Sequence, residues 1–421
     1  MDHSFNRRSV AKLLTPKDFY IEPTLTDENH RNEVLDEAVN IATNSHRFAP
    51  PLKVISNGNK YVYSVITLPD KLVLRKCVNN IQASLRIRFK ARLQTVKELK
   101  EYLQEGSKYR IYRLDISSFF ECCSTRQIAA LLAPSRVTTQ TSNLVESFLK
   151  VFNRTYGSGL PRGIEISPII SELYLQAFDT KLSRHQEVFY YSRFVDDFIV
   201  ITSGSEDKTR FLSYVRLSLP TGLHLNHNKK RVFDIPNRST GGPNLSDLVV
   251  ANFDYLGYRF SITDTNLTAI NPSKPSNLRG HQYRKVKIDL TRNKINRIKE
   301  RICKTFYAYC NDSNYELLCD RIVFLSTNRN LIHKRRGRNI LTGIYYSNTE
   351  IDASSRTLVM INGYYRTIVL NPQGRLGTVL FGRLSRGQKN RLLKISFVHG
   401  VRRRIFKRFS PDRLQQISRI W

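Results

Sequence analysis

The sequence is poor in acid: 35 Asp and Glu stand against 68 Lys and Arg, a net charge of +33 in 421 residues. An excess of that size concentrates polyanions around the molecule, and neutralising phosphates with Lys and Arg releases condensed counterions, so nucleic acid is the leading partner. Apolar residues never run uninterrupted for 18 positions, and the start lacks a basic, apolar and small-residue leader. The expectation is a cytoplasmic protein with no membrane partner. The six cysteines form no C-x-x-C pair and share no zinc-finger spacing with histidine, which argues against a zinc cluster and leaves them as reduced thiols. No internal repeat is present. Hydrophobic residues still make up 40% of the chain, so it can bury cores, and its length suits two or three domains. The charge is uneven: from Asn271 onward there are 32 Lys and Arg against 8 Asp and Glu, which places +24 of the +33 in that region.

Pro50-Pro51 breaks the chain after a mixed N-terminal stretch, read as an arm over 1–50. From Ile81 the residues Leu85, Phe89, Leu93, Val96, Leu99 and Leu103 recur at steps of three or four, predicting a basic amphipathic helix, or two joined, that ends at Gly106. Tyr109 to Phe120 reads as a strand interrupted by Asp115. Ser124 with Gln127 predicts a capped short helix, Leu144 to Phe152 another, and Ser167-Pro168 the start of a long one after a loop holding Gly157, Gly159, Pro161 and Gly163. The β-rich runs Val188 to Val195 and Phe198 to Thr202 flank Asp196-Asp197 as a hairpin would flank an acidic turn. A helix is expected near Glu206 to Leu217, with strands near Leu223 to Leu225 and Phe253 to Phe260. Asp289 to Tyr309 has helical spacing, whereas Thr357 to Leu370 is rich in β-branched and aromatic residues, making the C-terminal region mixed.

Asp196 and Asp197 lie between Phe194-Val195 and Phe198-Ile199-Val200, so burial of this hairpin would strip water from two adjacent carboxylates. Either one of them keeps its proton or a hard divalent cation neutralises the pair. As an isolated pair they are equally consistent with a solvated turn. Asp115, at the end of a separate apolar strand, changes the balance, because two such strands side by side gather three carboxylates, enough for two metal ions. In-line phosphoryl transfer uses such a pair, one ion activating a 3'-hydroxyl and the other stabilising pyrophosphate.

The order of these segments resembles the reverse transcriptases, especially the bacterial group of retron, group II intron and phage-defence enzymes. Leu114-Asp115-Ile116-Ser117-Ser118-Phe119-Phe120 is similar to the family's first palm motif, Gly159 to Pro168 to its second, and Arg193-Phe194-Val195-Asp196-Asp197 to its third. Gly222 to Lys229 is similar to the fourth, and Phe253 to Tyr258 to the primer-grip hairpin, so the likeness runs over about residues 70 to 262. It implies an α+β right-hand polymerase with fingers, a ferredoxin-like palm, a thumb and a basic C-terminal extension. The boundaries it suggests are an arm over 1–50, fingers over 51–110, palm over 111–262, and a thumb with an RNA-binding region over 263–421.

What the resemblance implies for the site is specific. Asp115, Asp196 and Asp197, with the Ile116 backbone, would hold two Mg²⁺ ions, or Mn²⁺ in their place. Phe120 would be the steric gate that collides with a 2'-hydroxyl and so selects dNTPs, and Lys229 would protonate the leaving pyrophosphate. Arg162, Gly163 and Arg88 would line the nucleotide site, with Arg86 and Arg92 as further triphosphate or template contacts. Two departures stand out: Arg162 replaces a common glutamine, and Val195 replaces a smaller residue before the aspartates.

No His-Asn-His nuclease pattern or ribonuclease H-like acidic set follows residue 262. The implied activity is RNA-directed DNA synthesis on an RNA template with dNTPs as substrates and DNA as product. Leu72 to Lys76 and Ser171 to Tyr174 are most similar to phage-defence reverse transcriptases that work with a dedicated non-coding RNA, in particular the first polymerase of the paired type 3 systems. A second reverse transcriptase or another copy of the chain is an open partner. Arg335, Arg336, Arg338 and Arg402 to Arg404 are candidate phosphate contacts, and Tyr345, Tyr346, Tyr364 and Tyr365 candidate stacking platforms. The alternatives are a group II intron maturase or RNA-binding scaffold, and an RNA-dependent RNA polymerase, against which Phe120 argues.

Overall fold

The computed structural model describes residues 2–44, 48–58, 60–87, 89–133, 136–238, 248–264, 284–333, 338–352, 355–380 and 382–421. Two compact units emerge, residues 1–91 with 107–237, and residues 92–106 with 238–421. These units do not coincide with the boundaries at 50, 110 and 262.

In the first unit, α1 (Arg7–Ala11), α2 (Pro16–Ile21), a 3₁₀ turn (Pro23–Thr26) and α3 (Glu28–Asn44) precede the hairpin β1 (Leu52–Asn57) and β2 (Lys60–Val65) and then α4 (Leu68–Leu85). The N-terminal stretch is no separate arm: Phe5, Val10, Leu25, Leu35 and Ala38 join the same core as Leu72, Val73 and Cys77 of α4. Two basic residues of α4 are tied to it as well. Arg75 makes a bidentate pair with Asp18 (2.6 and 3.0 Å), and the buried Lys76 ammonium donates to the Asp2 carbonyl at 2.7 Å. Helix α4 ends where Arg86 turns left-handed (φ 51°), so of the two readings from Ile81, one helix or two joined, two helices are present and they are not continuous. Phe89 and Leu93, expected on its apolar face, are exposed.

The rest of this unit is β3 (Tyr109–Asp115), α6 (Phe119–Cys122), α7 (Thr125–Leu131), α8 (Thr139–Thr155), α9 (Ile166–Ser183), β4 (Val188–Phe194), β5 (Asp197–Thr202), α10 (Lys208–Ser218) and β6 (Arg231–Ile235). The strands form one antiparallel sheet in the order β4-β5-β3-β6. Alternation along β3 sends Tyr112 and Leu114 to the face that also carries Phe198 and Val200, and this face packs on α9 and α10 through contacts such as Phe178–Phe198 and Tyr112–Phe211. Arg113, Asp115 and Asp197 therefore belong to the other face. Helix α9 starts at Ile166 with Glu165 as its cap, two residues before the expected cap: Ser167 is buried and donates to the Pro161 carbonyl at 2.6 Å, tying the helix to the glycine loop. The expected strand at Leu223 to Leu225 is reduced to a single bridge between Leu225 and Ile116.

In the second unit, α5 (Arg92–Tyr102) accompanies the antiparallel sheet β7 (Leu248–Tyr255), β8 (Tyr258–Asp264) and β9 (Lys285–Leu290). There follow α11 (Arg292–Asp312), α12 (Tyr315–Ser326), the hairpin β10 (Asn328–His333) and β11 (Arg338–Gly343), α13 (Arg356–Leu370), α14 (Gly374–Leu380), α15 (Arg386–Leu393), α16 (Phe397–Arg402) and α17 (Pro411–Ser418). Thr357 to Leu370 is thus helical. Ser355 caps it, and Leu358, Ile361, Tyr365 and Val369 bury one stripe against Ile302, Phe306 and Phe397. That packing outweighs the β propensity of the individual residues.

Candidate active site

β3 and β5 are paired in a register that sets Asp115 directly opposite Asp197. Asp196 precedes it in the turn of the β4–β5 hairpin, whose closing pair is Phe194 and Asp197, so the loop is Val195-Asp196 alone. Val195 has φ 61°, a left-handed conformation that β-branched residues disfavour. The turn is fastened to β3 by the Ile116 amide, which donates to the Asp196 carbonyl at 3.0 Å. Asn226, just past the Leu225 bridge, binds the Asp115 carbonyl through its own amide at 2.8 Å and the Asp115 carboxylate through its side chain at 3.2 Å. The structure therefore brings Asp115, Ile116, Asp196, Asp197 and the fourth segment together.

Burial raises the pKa of Asp196, and the charge of Asp115 raises it further. Burial raises Asp197 too, opposed by Arg113, whose guanidinium lies 3.3 Å from its carboxylate. Lys229 places its ammonium 2.9 and 3.0 Å from the two Asp115 oxygens. Asp115 and Asp197 are thus each engaged by a cation, and among the described residues no three acidic, His or Cys side chains converge on one metal position. The donor chemistry nonetheless fits a hard divalent ion: oxygens only, with Asp196 in no ion pair among the described residues and destabilised in its charged form by Asp115.

Beside the carboxylates lies the glycine loop. Its Leu160 amide donates to the Phe120 carbonyl at 2.7 Å, and its Arg162 carbonyl accepts from the Tyr63 amide at 2.7 Å. The glycines permit this: a Cβ on Gly159 would stand 2.0 Å from the Phe120 carbonyl oxygen, and one on Gly163 2.6 Å from that of Tyr63. Arg162 lies over the Phe120 ring, 4.5 Å from its centroid, and pairs with both Glu121 oxygens at 2.9 Å. Its charge also reaches Asp196.

Arg88 lies outside the described residues, as do Arg335 and Arg336. Arg92 is occupied in the second unit, donating to the Leu256 carbonyl at 2.8 Å and lying over the Tyr258 ring. Of the candidate stacking tyrosines, Tyr365 is buried and donates to the Leu392 carbonyl, Tyr364 contacts the Cys303 thiol, and Tyr345 lies under the Arg404 guanidinium. Arg402, Arg403 and Arg404 are exposed.

Sequence reasoning missed Arg193. Its side chain is 2% exposed and pairs with Glu172 (3.0 Å) and Asp179 (2.7 Å) of α9, while another of its nitrogens donates to the Val195 carbonyl at 2.9 Å. The available signal was its position: it alternates with Tyr191 on the inward face of β4, where an arginine is uncommon unless paired.

A helix-backed antiparallel sheet with adjacent carboxylates in a hairpin turn, opposed by a third on the neighbouring strand, is the palm of a right-hand polymerase fold. Residues 56–260, just under half of the chain, match the family model described as reverse transcriptase (RNA-dependent DNA polymerase). Among solved structures, apo telomerase from Candida tropicalis, truncated from its C-terminal domain, is similar at 12% identity over 51% of this chain and 54% of that one (TM-score 0.33). Telomerase from Candida albicans in complex with a fragment of telomeric RNA is similar at 11% identity over 84% of this chain and 62% of that one (TM-score 0.34). The chain thus spans less than two thirds of either, and at these scores the two likenesses carry no argument. No curated protein matches the chain significantly.

Proposed function

We propose that the chain is an RNA-directed DNA polymerase that extends a 3'-hydroxyl with dNTPs, working in bacterial antiviral defence on a non-coding RNA template. The observation that carries the enzymatic reading is the register pairing of Asp115 with Asp197 and the placement of Asp196 in the two-residue turn between β4 and β5. The defence role is supported by the phage-defence likeness of Leu72 to Lys76 and Ser171 to Tyr174, and by the basic region from Asn271, suited to holding an RNA.

Asp115 and Asp196 would hold the divalent ions, with Asp197 kept beside them by Arg113. Two such ions supply activation of the attacking hydroxyl and stabilisation of the pyrophosphate charge. The chain's own groups do the rest. Lys229 sits on Asp115, so its ammonium is at hand for the proton that pyrophosphate takes on leaving. Phe120, carried by α6 against the glycine loop, faces the sugar and excludes a 2'-hydroxyl. The Arg193 ion-pair network fixes the turn that carries Asp196.

The test is incorporation of each dNTP and rNTP with Mg²⁺ by protein purified with its bound RNA, comparing wild type with Asp196→Asn and sequencing RNA and product. Incorporation of dNTPs that disappears in the variant is expected. Tight RNA binding with no incorporation from any mixture would instead favour an intron maturase or an RNA-binding scaffold.

A further inference from the structure

Phe120 stands on a weak element. Helix α6 is four residues long, entered through Ser118 in a left-handed conformation (φ 44°), and a single helical turn has little stability of its own. What fixes the ring must come from its neighbours. On one side Phe119, fully buried, meets Phe120 edge-on with centroids 5.5 Å apart and in turn meets Tyr174 at 6.4 Å. On the other side the Arg162 guanidinium covers the ring at 4.5 Å. Its plane is fixed because Glu121, the next residue of α6, accepts from its Nε and Nη2 at 2.9 Å each. Arg162 and Glu121 thereby close a loop from the backbone of α6, through the glycine loop, back onto the aromatic ring.

A fork–fork ion pair also decides what Arg162 is not doing. With both Glu121 oxygens engaged, its charge is already balanced, and the guanidinium presents its face to an aromatic ring rather than its edge to a phosphate. We propose that Arg162 and Glu121 are positioning residues for nucleotide sugar selection: together they brace the Phe120 ring so that it rejects a 2'-hydroxyl. This rests on the reading of Phe120 as the gate. A gate excludes by contact, and a ring free to rotate by a rotamer would yield to the extra oxygen at little cost. The brace makes yielding costly. It also gives the arginine found where glutamine is common a role that depends on the neighbouring acid.

The experiment is single-nucleotide primer extension on a supplied RNA template and DNA primer, reading kcat/KM for dGTP and GTP opposite the same template base. The proteins are wild type, Phe120→Ala, Glu121→Gln, Arg162→Met, Arg162→Lys and the Phe120→Ala/Glu121→Gln double variant. Phe120→Ala is expected to lose most of the discrimination. Glu121→Gln and Arg162→Met are each expected to lower it roughly three- to tenfold, the scale of one lost cation–π contact. Arg162→Lys should behave as Arg162→Met, since an ammonium keeps the charge and loses the stacking plane. In the Phe120→Ala background, Glu121→Gln should change discrimination no further. Equal losses for dGTP and GTP in Glu121→Gln and Arg162→Met would overturn the brace and make Arg162 a direct phosphate ligand. If Phe120→Ala still discriminates, the gate reading fails and the brace with it. Equilibrium binding of dGTP and GTP in Ca²⁺ reads the same ratio for any variant too slow to extend.

Discussion

At the scale of single residues, the site depends on a turn that the chain would not adopt unaided. Val195 is β-branched and held at φ 61°, a conformation costing on the order of 1–3 kcal/mol. The restraint is visible: Arg193 donates to its carbonyl and is itself locked between Glu172 and Asp179. Burial raises the Glu172 pKa and Arg193 opposes it, so removing the guanidinium would leave two partly buried carboxylates without their cation. Arg193→Met should destabilise the protein by about 3–5 kcal/mol. Arg193→Lys keeps a charge but cannot fork between α9 and the turn. It should fold, with a urea midpoint near wild type, while kcat for dNTP incorporation falls at least tenfold and KM changes little. If Arg193→Lys turned over at the wild-type rate, the arginine would be a fold residue only.

At the scale of elements, the glycine loop is held where backbone geometry leaves little room. Gly159 has φ 95° with the Phe120 carbonyl in the place of a Cβ, whereas Gly222 has φ 90° and open space around it. Ala at 222 adds only left-handed strain, about 1–2 kcal/mol. Ala at 159 adds displacement of α6 and should cost roughly 2–4 kcal/mol, a difference that paired urea titrations of the two variants would resolve. Much of this was legible beforehand. The helices at Leu144 to Phe152 and near Asp289 to Tyr309, the acidic hairpin and the strand from Tyr109 announced themselves, although β3 stops at Asp115 where the sequence reading ran on to Phe120, and α11 begins at Arg292, with Asp289 still in β9. The failures share a cause. Phe89 and Leu93 continued a helical rhythm, but Arg86 ends α4 by a backbone conformation that composition does not encode. Thr357 to Leu370 looked β-like residue by residue, and only its stripe of Leu358, Ile361, Tyr365 and Val369 marked it as a helix. The cations at Asp115 and Asp197 were hidden for another reason: Lys229 is 114 positions from Asp115, and that pairing exists only once the strands are in register.

At the scale of the whole molecule, charge is the dominant property, and its distribution separates two roles. Within the first unit many cations are internally matched: Arg75 to Asp18, Arg110 to Glu206 and Asp234, Arg162 to Glu121, and Arg193 to Glu172 and Asp179. From Asn271 onward, 32 basic residues face only 8 acidic ones, so most of them cannot be matched within that region. Exposed positions such as Arg403, Lys407 and Arg408 can reach phosphates. RNA affinity should therefore be largely electrostatic. If 6–10 phosphates are neutralised, binding should weaken by about 10³–10⁵ between 50 and 200 mM salt. The same titration on Asp196→Asn should give the same slope, because the substitution removes no Lys or Arg, while its incorporation of dNTPs is abolished. Replacing Arg402, Arg403 and Arg404 together by Gln should shallow the slope by up to about 3 units and leave incorporation at low salt intact. An unchanged slope in that triple variant would assign the RNA surface to other cations of the basic region.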